Sequence, residues 1–447
     1  MHRSLTQFLC ALVLAICTWT ATMPAQAQTL IRDAEIERSL RELAAPLMAA
    51  AGLGTQRMNF WLLNDDSLNA FVAGPKTIVL HTGLLLRLNT PEQVQAVLAH
   101  EIAHIANGHL ARRPANLQAS GRLARLGLAL AIATAAITGS GEAAAGLGIG
   151  TADASRRAFF AHTRAEEASA DRSAGRYMVQ AGIDPGAMVD VLEVFRGQEA
   201  LTTIRQDPYV RTHPLTRDRL RAAESMANAA QVPDRDNSSS TYWYARLKGK
   251  LSAFLRNPSW TFQRIGNRQD EIALMRRAIA YHKTPDPVRA IATADTLIEA
   301  RPGDPYYTEL RGQILFENRR YEAAVEAYRE AVELAPREAQ ILAGYGRALL
   351  ALKTPAANRD ALKALQRAYS RDPIDPRLLR DLSQAYAAND QPGMASITVA
   401  ERYALRGRLD DAAIHARRAA GLLPVGSPGE RRAQDILRAA DRAKTKR

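Results

Sequence analysis

Val97-Leu98-Ala99-His100-Glu101-Ile102-Ala103-His104-Ile105 is an apolar run interrupted by two histidines and a glutamate. Just upstream, Thr90-Pro91-Glu92 has the makeup of a helix start, a side-chain cap followed by proline in the first turn, so the spacing predicts one long helix over Gln93 to Gly108. Residues four apart on a helix share a face. His100 and His104 can therefore reach one cation, and Glu101 sits beside any water that the cation acidifies. Val97, Leu98, Ile102 and Ile105 bury the rest of such a helix, so the polar trio interrupts a core face rather than a solvated one. The five-residue pattern alone also occurs by chance in helical proteins, and a third ligand has to be found.

A catalytic zinc needs three protein ligands and an open position. One known arrangement places a histidine six residues after the second one with a glycine midway, but Leu110 and Asn107 occupy those places. His109 is one residue out of register and is expected on the surface near the helix end, where a cationic ring meets the dipole. The other arrangement takes a glutamate from a second helix, with an aspartate four residues later to hydrogen-bond a ligand histidine. Glu167 and Asp171 fit it, with Glu166 as the neighbouring alternative.

The stretch Thr163-Arg164-Ala165-Glu166-Glu167-Ala168-Ser169-Ala170-Asp171 resembles the Ser-Arg-x-x-Glu-x-x-Ala-Asp signature of the HtpX-like and CAAX-prenyl-protease-like gluzincin metallopeptidases, with Thr163 in the serine position. The resemblance implies one zinc ion held by His100, His104 and Glu167, with Glu101 as general base and Asp171 orienting a ligand. His213-Pro214-Leu215-Thr216-Arg217-Asp218-Arg219 looks like the His-Pro loop of that family. By chemistry, His213 could hydrogen-bond an oxyanion or hold the fourth metal position in a resting state, and Arg219 could fix the loop or a substrate carbonyl. The alternative is a plain helix start at Pro214. Asn69-Ala70-Phe71 and Thr82-Gly83-Leu84-Leu85 resemble the family's edge strand and following turn, with Thr77 to His81 expected to take up a substrate strand and His81 expected to be structural. Lys76 stands where the family commonly has glycine.

Working outward, Ile36, Leu40, Leu43 and Leu47 give Ile31 to Ala50 the periodicity of an amphipathic helix. Met58 to Leu63, Leu68 to Val72 and Thr77 to His81 read as three strands of a small antiparallel sheet. At the N-terminus, Arg3, an apolar stretch from Phe8 to Thr18 and Pro24-Ala25-Gln26-Ala27 have the form of a signal peptide over residues 1–27. A membrane anchor is the alternative, but the stretch is shorter than the ~20 residues that span a bilayer. Cys10 and Cys17 both fall in this segment, which excludes a disulfide framework, and Ile16 is too large for a lipidation site at Cys17. An apolar, then glycine- and alanine-rich segment over 126–150 reads as a helical hairpin that forms a lid or meets a membrane.

The polar stretch Pro233 to Ser240 places a linker at 231–240, between a peptidase domain at 28–230 and a repeat region at 241–447. In the latter, Ala324, Tyr328, Ala331 and Pro336 set a pattern that returns at Ala361, Leu365, Ala368 and Pro373, at Ala412, Ala416, Ala419 and Pro424, and more weakly at Ala290, Ala294, Leu297 and Pro302. Small residues at these offsets let antiparallel helices pack closely, and proline ends each unit. The prolines are 34, 37 and 51 residues apart, the first interval being the tetratricopeptide period and the last leaving room for an insertion or an extra helix. Gly312 and Gly346 lie where the first helix of a unit packs tightly.

The expected fold is mainly α with a small antiparallel sheet, a gluzincin-type peptidase followed by an α-solenoid of tetratricopeptide-like repeats. Lys and Arg exceed Asp and Glu to give a net charge of +13, which favours an anionic partner such as a membrane surface; no nucleic-acid module is present. Signal peptide, peptidase and repeats together resemble periplasmic family members that carry out quality control of outer-membrane proteins. The resemblance implies unfolded or stalled protein substrates, and repeats that contact the outer-membrane assembly machinery. Two rivals stand beside this protease reading. One is an assembly chaperone acting through its repeats with a latent zinc site; the other is a structural zinc protein with His213 as a closing ligand.

Overall fold

The computed structural model describes residues 29–54, 58–109, 164–198 and 207–445. The expected signal peptide and the apolar 126–150 segment lie outside them. Among the described residues, no helix is long and apolar enough to cross a membrane.

The first element among the described residues is strand β1 (Thr29–Ile31), so the helix expected from Ile31 starts later, as α1 (Ala34–Ala50). Asp33 decides the start: its side chain accepts from the Ile36 amide at 2.9 Å and caps the helix. Strands β2 (Asn59–Asn64), β3 (Ala70–Gly74) and β4 (Thr77–His81) complete a four-stranded sheet in the order β1-β2-β4-β3. The pairs β1–β2 and β3–β4 are antiparallel, but β2–β4 is parallel, so the sheet is mixed rather than antiparallel throughout. The physical reason is placement: β4 inserts between β2 and β3, which also makes β4 an interior strand and leaves β3 at the edge. Thr77 to His81 is thus not the open strand, a correction to the sequence expectation. Its neighbours Leu62 and Val79 belong to a sheet buried on both faces, which explains why Phe60-Trp61-Leu62-Leu63 and Ile78-Val79-Leu80 are continuous apolar runs.

Alternate residues of those strands enter different cores. Phe60, Leu62, Ile78 and Leu80 pack with Leu40 and Leu43 of α1 and with Val97, Leu98 and Ile102. Trp61, Leu63, Phe71 and Val79 face the other way, against Leu379 and Leu405 of the repeat region. After β4 come the short α2 (Thr82–Arg87) and the long α3 (Pro91–Ala106), whose Thr90 cap accepts from the Gln93 amide at 3.2 Å. α4 (Arg164–Ala181) lies along α3, with Ala99 and Ala103 of one and Ala170 and Ala174 of the other fully buried. Small side chains on facing helices allow close backbone approach. α5 (Gly186–Val194), α6 (Pro208–Thr212) and α7 (Arg217–Ala229) close this part of the molecule.

α8 (Ser238–Leu255) joins both parts: Leu247 and Leu251 are buried in the peptidase core, whereas Ala253 is buried with Met275, Ala290 and Tyr307 of the repeats. Then follow α9 (Pro258–Ile265) and a run of antiparallel helices, α10 (Glu271–Lys283), α11 (Pro287–Ala300), α12 (Pro305–Glu317), α13 (Tyr321–Leu334), α14 (Ala339–Ala351) and α15 (Pro355–Tyr369). α16 (Pro376–Ala387), α17 (Pro392–Leu405) and α18 (Leu409–Leu422) fill the long interval between Pro373 and Pro424, so it holds an extra helix; α19 (Pro428–Thr445) ends the series. The alanines that set the repeat pattern, among them Ala324, Ala361 and Ala412, are fully buried. Tyr328 explains two glycines: a Cβ on Gly344 would lie 2.4 Å from its ring, and one on Gly312 3.0 Å away. Gly346 leaves similar room for Leu365, which an added Cβ would approach to 2.5 Å.

Candidate metal centre and active site

α3 delivers His100, Glu101 and His104 at the contact with α4, which delivers Glu167 and Asp171; the loop after α6 brings His213. His100 Nε2 and His104 Nε2 are 3.0 Å apart, and the Glu167 oxygens lie 3.4 Å from the first and 3.3 Å from the second. Four ligand atoms about 2.0–2.1 Å from a tetrahedral zinc are about 3.3 Å from one another. His213 Nδ1, at 3.3 Å from His100 Nε2 and 3.1 Å from Glu167 Oε1, takes the fourth corner of the same figure. The four side chains are buried, offer ligand atoms all within 4.8 Å of one another and form a group that could hold a metal ion. Glu167, and not the half-buried Glu166, is the carboxylate in it.

The surroundings orient each member. Asp171 Oδ1 is 3.0 Å from His100 Nδ1, so this nitrogen carries the proton and Nε2 turns its lone pair to the centre. His104 is held in the same way by a residue whose role the spacing hid. His109 is 2% exposed rather than at the surface, and its Nδ1 is 2.9 Å from His104 Nδ1. The turn after α3 is responsible: Gly108, at φ 67°, reverses the chain and folds His109 back under His104. Histidine five residues after the second ligand is the signal that could have found it. Replacing His109 by alanine is expected to weaken zinc binding about 10- to 100-fold in a chelator competition, with glutamine restoring part of it.

Arg219 takes the first of its two expected roles and fixes the loop. Its Nε and Nη2 bind Asp171 at 2.7 and 2.9 Å, Nη1 reaches the Pro214 carbonyl at 3.0 Å, and Nη1 also lies 2.7 Å from Glu167 Oε2. The guanidinium thereby ties the His213 loop to both carboxylates of α4. Thr216 caps α7, so the helix starts at Arg217 and leaves His213-Pro214 as a loop. His213 Nε2 is 3.2 Å from the carbonyl of Ala70 on the edge strand and 3.3 Å from Glu101 Oε1. His81 is apart from the centre, its Nδ1 on Ser67 Oγ at 2.9 Å, in keeping with a structural role.

Electrostatics favour positive charge at this point. Despite burial, His213 and His100 hold Glu167 well below the usual carboxylate range. Burial opposes the charging of His100, yet Glu167 and Asp171 push it up to about 10, and Asp171, buried but bonded to His100 and Arg219, is down at about 2. Burial pushes His104 the other way, to about 3, and pushes Glu101 up. Both Glu101 oxygens are buried without a hydrogen-bond partner, an arrangement costly unless a charged or protic group meets them during function. Two imidazoles whose Nε2 atoms face one point, an ionised carboxylate and an unsatisfied acid beside them are a donor set suited to zinc, which takes the place of the charge that His100 would otherwise carry.

Comparison with known proteins agrees with this chemistry. Residues 31–227 match the profile of peptidase family M48, and residues 310–373 match a tetratricopeptide repeat profile. The β-barrel assembly-enhancing protease of Escherichia coli K12 is 27% identical over 407 residues, 89% of this chain and 81% of that one; its namesake from Yersinia pestis is 26% identical over 86% and 79%. The protease HtpX of Shewanella pealeana is 37% identical over 22% of this chain and 34% of its own. Among solved structures, yeast Tom70 aligns over 81% of this chain and 82% of its own at 12% identity and a TM-score of 0.34. From the two profile matches, residues 31–227 are a peptidase family M48 domain, joined in the same chain to tetratricopeptide repeats.

Proposed function

We propose that this chain is a zinc-dependent endopeptidase of the bacterial periplasm that degrades unfolded or stalled outer-membrane proteins and assists their assembly. The convergence of His100, His104 and Glu167 from two helices carries the reading. Zinc held there supplies Lewis acidity, polarising a peptide carbonyl and acidifying water. Glu101 is the base that takes the proton from the attacking water and returns it to the departing amine. Asp171 and His109 keep the two imidazoles in the tautomers that present Nε2, and Arg219 holds both α4 carboxylates in place. Strand β3, at the sheet edge beside His213, pairs with an extended substrate and lays its scissile bond across the site.

The repeats recruit clients and the assembly machinery. That role rests on the repeat match and on the names of the relatives. In this division the leader is 1–27, the peptidase runs from 28 to 230, the linker is 231–240, and the repeats run from 241 to 447, with α8 serving both cores. Replacing Glu167 by glutamine tests the ligand set: metal content is expected to fall from one zinc per chain, and full occupancy would overturn the assignment.

A second reading, an assembly chaperone with a latent site, draws support from His213 Nδ1 at the fourth corner, where it competes with water. The two readings meet in a resting enzyme that opens when the His213 loop moves. Replacing His213 by alanine is then expected to raise casein turnover several-fold at unchanged zinc content. A drop in turnover would instead assign His213 to transition-state stabilisation.

A further inference from the structure

Far from the zinc site, the short helix α9 packs mainly against α10 and touches α8. Thr261 and Ile265, four apart, are buried on its inner face, and Phe262 leans on Tyr281 at 5.0 Å. Trp260 and Arg264, also four apart, share the outer face, where the indole is 40% exposed. Arg256 and Arg268 are exposed on either side of it in the chain, and Arg276 of α10 lies under its ring at 5.4 Å. Asp270 engages Arg268 at 2.8 Å and, among the described residues, is the one acidic group in a salt bridge with this set.

Arg276 is the observation that points to a ligand. Its Nε and Nη2 are buried beneath the surface with no hydrogen-bond partner, so the guanidinium has two donors to offer. Its neighbours Arg264 and Arg268 are cations of the same sign, which burial makes harder to bear; together these effects lower its affinity for its own proton. A phosphate relieves both problems at once, accepting the free donors and offsetting the clustered charge.

We propose that the α9–α10 face docks on the phosphate-bearing surface of an anionic phospholipid membrane, with Trp260 entering the headgroup layer and Arg256, Arg264, Arg268 and Arg276 meeting phosphates. Composition selects this occupant. One indole within a ring of arginines matches the polar–apolar boundary of a bilayer, where tryptophan accumulates and basic residues pair with headgroups. A protein interface would offer a larger apolar centre, and a single-stranded nucleic acid would want several stacking aromatics. Docking here holds the peptidase at the membrane without a spanning helix, in line with the basic balance of the whole chain.

The test uses the protein purified after export and vesicles of phosphatidylcholine with or without phosphatidylglycerol. Co-sedimentation is expected with the anionic vesicles only, falling as salt rises. Of the four tryptophans, Trp19 falls in the expected leader, Trp61 is 5% exposed and Trp243 is half-buried against Arg246 and Tyr306, so quenching by lipids brominated on the acyl chain should come from Trp260 and vanish in Trp260→Phe. Arg264→Gln with Arg276→Gln should weaken vesicle binding by about fivefold per arginine while casein turnover and the melting profile stay at parent values. Equal binding by parent and double variant, quenching that survives Trp260→Phe, or displacement of the vesicles by inorganic phosphate but not by chloride at the same ionic strength would overturn the proposal, the last by assigning the face to a free anion.

Discussion

Glu101→Gln is expected to lower casein turnover by about 10²- to 10⁴-fold, the contribution of a positioned general base, while zinc stays at one per chain. The amide has nearly the shape of the carboxylate, so packing around α3 is conserved. What changes is the ability to take a proton, at a residue that is 0% exposed and whose two oxygens otherwise have no partner. The measurement is turnover beside metal analysis on the same preparation. Undiminished turnover would remove Glu101 from the mechanism; loss of zinc as well would mean that the acid shapes the site rather than the reaction. Stability gives a further check: removing an unsatisfied buried acid relieves a desolvation cost, so the variant should unfold at equal or higher urea.

Arg246→Ala should have the largest effect on stability, a loss of about 3–5 kcal/mol in urea unfolding, because it strands buried charges rather than merely deleting a contact. Arg246 is fully buried on α8. Its Nε donates to Glu35 Oε1 at 2.5 Å, its Nη1 to Tyr242 Oη at 2.9 Å and its Nη2 to Asp304 Oδ1 at 3.1 Å, with its Cζ 4.1 Å from the centre of the Tyr307 ring. Lys250, one turn on, lies 2.9 Å from Asp33 and 3.1 Å from Glu35. Glu35 belongs to the first turn of α1 and Asp304 caps α12, so the cluster joins peptidase to repeats. A second junction does the same nearby, where Arg32 binds Glu37 at 2.7 Å and also meets Asp372, and Arg41 reaches Glu338 at 2.9 Å. Lys363→Ala, which removes an exposed pair with Asp360, should by contrast change stability by less than about 0.5 kcal/mol. A loss that small for Arg246→Ala would mean that the two parts are held by the Arg32 and Arg41 junction and by the apolar contacts of α8, Leu379 and Leu405 instead.

The linear order of residues was enough to read the helix of His100, Glu101 and His104, because a fixed period of 3.6 residues converts spacing into a shared face. It was enough too for the repeat pattern, since each small residue at a helix contact marks its own site of close approach. The partner carboxylate was readable only through a motif resemblance. No local rule says that Glu167, more than sixty residues on, should meet two imidazoles, whereas the Ala99, Ala103, Ala170 and Ala174 contact brings it there.

Two expectations failed where the answer depends on distant neighbours. Strand order is set by which apolar faces find cover, and the sheet has two such faces because the repeats fold back over Trp61, Phe71 and Val79, so β4 lies inside and β3 at the edge. His109 was assigned to the surface because helical periodicity was extended past Gly108, where a positive φ ends it. Of the two roles expected for Arg219, fixing the loop is the one its contacts fit, because Pro214, Glu167 and Asp171 together claim the guanidinium. The sequence by itself determined which side chains can do the chemistry, since residue type and helical spacing are local properties. Tertiary structure alone decided their second partners and the open edge, since burial, pairing and charge balance arise only between segments far apart in the chain.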